Sequence, residues 1–453
     1  MIDARLAAAL PPGTLYAVGG RVRDEVRAII EGTEIPAKDL DYVVTGVTFD
    51  DLRARLERIG RVDLVGASFA VLKVTTSEGT VDVALPRRER STGTAHRSFE
   101  VEGGPDVPLE QDLERRDFRM NAMARALPSG ELVDPYGGEA DINARRIDII
   151  TERSFEEDPL RMLRAAQFAA RFEYVLTLRT LEAMRRSAPL VATVSGERVS
   201  EELTKLLVLS RRPSVGFNLL RETGVLVHFW PELVEGVGVE QNEWHAYDVW
   251  NHAMATVDAS PPGDLILRLG ALLHDVGKPR VKEGSHFYRH EQVGAELTEQ
   301  MLRRLRFSND VVDATAHLVR SHMYAADPTL SDAALRRSIR RIGVPYLDRQ
   351  FALRHADIAG SGLPKRDDAN ERFEVRVREE LARKPAFSIA DLVVGGDDVI
   401  AAMIRRGLVE PHFRGDARVG EMLDWLFEQV TEQPERNERQ TLLALLDEHL
   451  SRG

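Results

Sequence analysis

The chain contains no cysteine in 453 residues, which removes disulfides, zinc–thiolate centres and thiol nucleophiles at once and fits a reducing compartment. Any metal must then rest on histidine, aspartate or glutamate. Long apolar runs are missing as well: none approaches the roughly 20 residues that cross a bilayer, so no membrane partner is expected. The opening MIDARLAAALPPG puts an acid where a secretory leader needs basic residues and ends its short apolar stretch in two prolines, so the expected location is the cytoplasm. An excess of basic charge is lacking too. With 61 Lys and Arg against 73 Asp and Glu the net charge is −12, which excludes a uniformly basic coat for nucleic acid and confines any RNA contact to local patches. The best such patch is Arg87, Arg88, Arg90, His96 and Arg97, followed by Arg115 and Arg116. Neither a fixed-period repeat nor a low-complexity tract is present.

What is present is a folded, multidomain composition, with 43% hydrophobic and 30% charged residues over a length that exceeds one compact core. The runs LYAVGG, DLDYVVTG, RVDLVG, FAVLKVTT and TVDVALP are short, β-branched and bounded by Gly, Pro or Asp, so they predict strands, with VRDEVRAII as a helix between them. From Asp134 onward strand signals nearly vanish and helical periodicity takes over, beginning with PLRMLRAAQFAARF. Pro and Gly breaks fall near Pro231–Gly238, Pro261–Gly263 and Gly360–Asp367. The expected class is α+β, a mixed α/β head followed by a helical body.

Within the head, a predicted strand runs into Gly19-Gly20 at a helix start, where backbone N–H groups can approach a phosphate without Cβ obstruction. Lys38-Asp39-Leu40-Asp41 then opens a strand, whose alternation sends both carboxylates to one face. Such a pair suits Mg²⁺, though an isolated Asp-x-Asp on a strand is as readily surface polarity. Asp82 is either a further acid or an exposed strand position.

Taken in order, GGRVRD, LDYVV with its Asp-x-Asp, and RRDFRMNAMA resemble the class II tRNA nucleotidyltransferase and bacterial poly(A) polymerase superfamily. The resemblance implies a nucleotidyltransferase head of DNA polymerase β type in which Asp39 and Asp41 hold the catalytic Mg²⁺ ions. It further implies that Gly19, Gly20, Arg23, Arg115, Arg116, Asp117, Asn121 and Arg164 take the nucleotide.

The next segment, Phe155-Glu156-Glu157-Asp158-Pro159-Leu160-Arg161, reads as a helix start with proline in its first turn, which places Asp158 and Arg161 on one face. Aspartate accepts and arginine donates. Cytosine and adenine both offer an amino donor beside a ring-nitrogen acceptor, whereas uracil and guanine reverse that pattern and would leave buried groups unpaired. The pattern EDxxR is similar to the family's base-selecting motif, with Glu157 orienting Arg161, while Glu197 to Lys205 resembles a closing motif with a supporting role. Gln167 departs from the family pattern, since many relatives carry arginine there. The stretch between Glu89 and Pro108 is similar to the flexible loop kept by members that add the terminal A.

Farther on, His252, His274-Asp275 and Asp357 fit the H…HD…D pattern of HD phosphohydrolases, a set that suits a second divalent metal. Lys278 is placed to neutralise a phosphate, and His290 and His322 are candidate extra ligands. The expected division is a head over 1–137, a neck over 138–235, an HD domain over 236–365 and a helical tail over 366–453 that is similar to tRNA-contacting tails. The expected partners are tRNA, CTP and ATP, with CCA or A addition as the activity. Poly(A) polymerase, a CC-adding enzyme, and an HD hydrolase with a vestigial head remain as alternatives.

Overall fold

The computed structural model describes residues 2–34, 40–65, 71–91, 99–365 and 367–452, with the backbone alone for 89–91, 99–102 and 452. Asp39, His96 and Arg97 therefore lie outside the described residues or side chains. The chain divides into two compact units, Met1–Val234 with Arg304–Phe307, and Glu235–Arg303 with Ser308–Gly453.

The first unit is built on a seven-stranded mixed sheet. Its strands are β1 (Leu15–Val18), β2 (Asp41–Val44), β3 (Arg61–Val65), β4 (Val71–Thr76), β5 (Gly79–Ala84), β8 (Ala124–Leu127) and β9 (Leu132–Val133), with β6 (Arg87–Ser91) and β7 (Phe99–Gly103) forming a separate ribbon. The order is β3-β4-β5-β2-β1-β8-β9. Central β2 buries Tyr42, Val43 and Val44 and leaves only its first residue, Asp41, exposed, as expected where both faces of a strand are covered. On one side Val18 and Val43 pack with Leu109, Leu113, Ala122 and Ala124. The Tyr42 hydroxyl meets Asp3, whose carboxylate also takes Arg21 Nη2 at 2.6 Å, so the helix Ile2–Ala9 is tied to the sheet and to the helix Gly20–Glu31. Behind the sheet the chain turns helical, apart from a two-residue parallel pairing of Arg146–Ile147 with Val175–Leu176.

Two expectations are corrected here. Of the stretch between Glu89 and Pro108, expected as a flexible loop, the flanks pair their backbone as the antiparallel ribbon β6–β7, with Arg87 opposite Gly103 and Ser91 opposite Phe99, while residues 92–98 lie outside the described residues. The alternation Phe99-Glu100-Val101-Glu102 carried that strand signal. Second, Asp158 is not on a helix. A short helix, Ser154–Glu157, ends before it, Asp158 is extended (φ −141, ψ 99), and the next helix begins at Arg161. Proline is the cause, because the ring of Pro159 clashes with a helical conformation at the residue before it.

The second unit is helical. Val249–Ala259, Leu265–Leu273, His290–Arg304, Asn309–Ser321 and Leu347–Gly360 surround the HD residues, and Ala369–Ala382, Gly396–Arg405, Ala417–Glu432 and Arg439–Arg452 follow. At Gly360 the helix crossing is so close that a Cβ would stand 2.4 Å from Thr256 Oγ1 and 2.7 Å from its backbone nitrogen. Only glycine fits. Among the described residues no helix is long and apolar enough to cross a membrane.

Candidate functional site

At the end of β1 the chain reverses into the helix Gly20–Glu31 through Gly19, whose φ of +75 is open to glycine. The turn is also crowded: a Cβ on Gly19 would lie 3.1 Å from Arg116 Nη1 and 3.6 Å from Asp41 Oδ2. Asp41 and Asp82 are register partners in the parallel pair β2–β5, so the two carboxylates leave the sheet side by side on one face. Arg116 brings its Nη1 to the glycine turn, while its Nη2 reaches Asp112 Oδ2 at 3.4 Å and its buried Nε has no hydrogen-bond partner. Gly19, Asp41 and Arg116 line a cleft of about 380 Å³ together with Gly20, Arg23, Asp117, Asn121, Asp158, Leu160, Arg161, Arg164 and Arg198, whereas Asp82 is not in the lining. Arg115 is not in the lining, since its guanidinium is drawn to Asp112 Oδ1 at 2.8 and 3.0 Å.

Asp117 anchors the cleft wall. Its Oδ1 accepts from Asn121 Nδ2 at 2.8 Å and Oδ2 accepts from Arg164 Nε at 2.8 Å, while Asn121 Oδ1 accepts from Arg23 Nη1 at 2.8 Å. Burial alone would raise this carboxyl, yet the Arg164 charge and the Asn121 hydrogen bond hold it below the usual carboxylate range. Arg23, stacked against Phe168 and Phe172 at 5.1 and 5.0 Å, is pulled down to about 10 by its burial, with Asp117 opposing. It stays cationic at neutral pH. Because the folded carboxyl is depressed, its contribution to stability exists above the ordinary aspartate pKa and is lost as pH falls through the folded value. Asp117→Ala takes from Arg164 its carboxylate partner and from Asn121 its acceptor, and we expect it to lower the stability of this unit by about 3 kcal/mol at pH 7, with the gap to wild type closing below pH 4 or so. Urea unfolding at the two pH values measures this; an equal gap at both would remove Asp117 as the ionised anchor.

The base-reading candidates are arranged differently from expectation. Arg161 is buried and fixed: Nη2 donates to the Arg115 carbonyl at 2.6 Å and Nη1 to Ser154 Oγ at 3.0 Å, with Glu157 Oε2 at 3.4 Å. Asp158 is not paired with it, because Arg198 Nη2 reaches both Asp158 oxygens at 3.0 and 3.3 Å. Arg198 is thus a cleft residue that sequence reasoning assigned only to support. It sits 40 positions away on the helix Gly196–Leu209, and no local pattern announces such a contact. Gln167 is buried within Arg161–Phe172 and is absent from the cleft lining.

In the second unit six predicted residues converge. Asp275 Oδ2 lies 3.2 Å from His274 Nε2 and 3.5 Å from His252 Nε2, and its Oδ1 lies 3.4 Å from His290 Nε2 and 3.8 Å from His322 Nε2. Asp357 Oδ1 approaches His252 Nε2 at 3.1 Å and His274 Nε2 at 3.7 Å. One carboxylate therefore faces two histidine pairs. The Nδ1 atoms of His252, His274, His290 and His322 each meet a backbone carbonyl, those of Gly360, Ala271, Phe287 and Val319 at 3.1, 2.9, 2.8 and 2.6 Å. That holds each Nδ1 as the donor to a backbone oxygen and turns each Nε2 inward, the orientation that metal-ligating imidazoles require. Burial drives His322 down to about 3, so it is neutral. Burial would raise the Asp275 carboxyl, but His274 and Lys278 hold it well below the usual range. Lys278 Nζ donates to Asp275 Oδ2 at 2.6 Å. His274, Asp275, His290, His322 and Asp357 line a cavity of about 600 Å³ with Lys278 and Arg354, and His252 is buried behind them.

Residues 15–148 match the Poly A polymerase head domain family, 175–236 the family described as Probable RNA and SrmB-binding site of polymerase A, and 245–360 the HD domain family. The Multifunctional CCA protein of Cupriavidus metallidurans is 37% identical over 353 residues, 75% of this chain and 82% of that protein. Its counterpart from Ralstonia nicotianae is 38% identical over 68% of this chain and 72% of its own. The crystal structure of the Bacillus stearothermophilus CCA-adding enzyme in complex with CTP is similar with a TM-score of 0.70 at 25% identity, covering 96% of this chain and 93% of that one. With relatives this alike over most of their length, and with head and HD domains in the same order as its two clusters of acidic and imidazole side chains, the chain belongs to the CCA-adding enzyme family, as a homologue of the multifunctional CCA proteins.

Proposed function

We infer that this protein is a template-independent tRNA nucleotidyltransferase that adds CCA, or the terminal A, to tRNA 3′ ends from CTP and ATP. The observation that carries the reading is a single cleft in which Asp41, the Gly19-Gly20 turn and Arg116 face Asp158 and Arg161. The donor set suits a hard divalent cation: Asp41 and Asp82 stand in register on neighbouring strands, Asp39 belongs to the same motif, and Arg116 brings its Nη1 to the Gly19 turn, beside the triphosphate that would accompany such an ion. Mg²⁺ on Asp39 and Asp41 would neutralise triphosphate charge and prepare the tRNA 3′ hydroxyl for in-line attack.

The chain's own residues supply the rest. The Gly19-Gly20 turn gives backbone N–H groups room at the phosphates, Arg116 and Arg23 add charge there, and the Asp117–Asn121 pair faces the ribose. Arg161, clamped by Ser154, Glu157 and the Arg115 carbonyl, presents a fixed donor edge, and Asp158 an acceptor that Arg198 Nη2 holds in place at 3.0 Å. Cytosine and adenine satisfy both. Asp158→Ala removes the acceptor and should cut the preference for CTP over UTP by roughly 10- to 100-fold, about the cost of one unmatched buried hydrogen bond. Steady-state kcat/KM for both nucleotides on one tRNA measures it, and unaltered selectivity would exclude Asp158 as a base reader.

For the HD unit we read phosphoester hydrolysis, on cyclic 2′,3′-phosphates or nucleotide phosphoesters. One divalent ion fits His252, His274, Asp275 and Asp357, and another fits Asp275, His290 and His322. Bound there, such ions supply a water nucleophile near neutral pH. Lys278 and Arg354 place positive charge where a phosphate would enter. The working division remains head 1–137, neck 138–235, HD 236–365 and a tRNA-contacting tail 366–453, in a cytoplasmic enzyme. The deciding experiment incubates tRNA transcripts ending before CCA, after C and after CC with CTP, ATP or both. Extension of all three establishes CCA addition; extension of the last alone establishes A addition; extension of none refutes the reading.

A further inference from the structure

The four cluster histidines share one arrangement, an Nδ1 held by an oxygen and an Nε2 turned toward the two carboxylates. A fifth histidine, outside the H…HD…D pattern, repeats it. His245 Nδ1 lies 3.2 Å from Asn242 Oδ1, which leaves its Nε2 for another partner. Its ring stands edge-on to His252 at 4.5 Å and 78°, and a ring nitrogen of His245 and the ligand atoms of His252 and Asp357 all lie within 4.8 Å of one another. The residue is half-buried and lines the same cavity as His274 and Asp275. Nor is its loop adrift. Gln241 Oε1 accepts Lys278 Nζ at 2.6 Å, and the Ala246 N–H donates to the Ser361 carbonyl at 2.8 Å, so the segment is fastened both to the HD turn and to the end of the helix that carries Asp357.

We propose that His245 is a further ligand of the divalent ion held by His252 and Asp357, entering from the open side of the cavity. The proposal rests on the reading of the HD unit as a metal centre. It makes the two ion positions unequal. The first gathers three imidazoles and two carboxylates; the second has two imidazoles and a share of Asp275. The first is therefore the tighter, and Asn242, which fixes the His245 ring through Nδ1, is a positioning residue for it.

Full-length protein stripped of metal and titrated with Co²⁺ tests this, because the visible d–d bands report ligand number and type. The wild-type chain should take up two ions in resolved steps. In His245→Ala the first step should weaken roughly 10- to 100-fold and its absorption change shape, in Asn242→Ala it should weaken by a smaller factor, and in both the second step should stay as it was. His245→Gln, which retains bulk, guards against a folding defect and should also lose the wild-type band shape. Superimposable spectra and unaltered first-step affinity in His245→Ala and His245→Gln would overturn the proposal while leaving the metal centre standing. A wild-type chain that takes up no Co²⁺ would instead overturn the metal reading itself, and this proposal with it.

Discussion

Asp41→Ala is expected to slow CMP and AMP incorporation by about 10³-fold or more, the several kcal/mol that a metal-holding carboxylate contributes to phosphoryl transfer. The position allows a clean reading. Asp41 is the exposed first residue of β2, while Tyr42, Val43 and Val44 behind it carry the packing, so truncation should change stability by no more than about 0.5 kcal/mol. tRNA affinity should persist, because the side chain stands at the Gly19 turn and Arg116, at the nucleotide end of the cleft. Single-turnover incorporation on a transcript ending after CC, with filter binding of the same transcript, separates the two effects. Incorporation within tenfold of wild type would mean that this carboxylate holds no catalytic ion. Asp82→Ala is the informative companion, since its register with Asp41 would set it near any ion held there.

The second large effect concerns Asp275. Its two oxygens serve different histidine pairs, Oδ2 toward His252 and His274 and Oδ1 toward His290 and His322, so no other single side chain in the cluster touches both ion positions. Asp275→Asn keeps the shape but removes the anion, and phosphoester hydrolysis should fall at least about 10³-fold, with metal content dropping at both positions. The asparagine variant is preferable to alanine, because its amide oxygen can still accept from the buried Lys278 ammonium that now meets Oδ2 at 2.6 Å, whereas alanine would leave no acceptor there and confuse lost metal with lost stability. Elemental analysis and hydrolysis of 2′,3′-cyclic AMP read the two losses, and nucleotide addition on the same sample is the internal control. Full hydrolysis with full metal content would show that the carboxylate does not bridge. A loss of hydrolysis with intact addition is the expected pattern, because Asp275 and the nucleotide cleft belong to different compact units.

Much of this was legible in the residues alone, for reasons that differ from place to place. The strands of the head announce themselves because β-branched residues alternate against Gly and Asp boundaries, and LDYVV became β2 with its acid at the mouth. The His252, His274, Asp275 and Asp357 set was recoverable through its resemblance to the H…HD…D pattern, and the helices bring the four together. Asp158 was misread through a competition between two rules. Proline in a first helical turn is favourable, but proline also expels its predecessor from the helical region, and here the second effect won at φ −141. Arg198 and His245 escaped for a different reason. Each acts through a contact made in space, 40 residues away for Arg198 and across a loop for His245, and nothing in local periodicity encodes such a meeting.

The Gly360 crossing carries a consequence for how this protein can vary. Its carbonyl orients His252, its missing side chain lets Thr256 draw near, and Asp357 rides one turn before it on the same helix. Imidazole and carboxylate thus share a single hinge point, and even one added methyl group would push both off their aim together. A lineage that replaced this glycine would therefore have to shift the Thr256 backbone as well, and His252 and Asp357 with it.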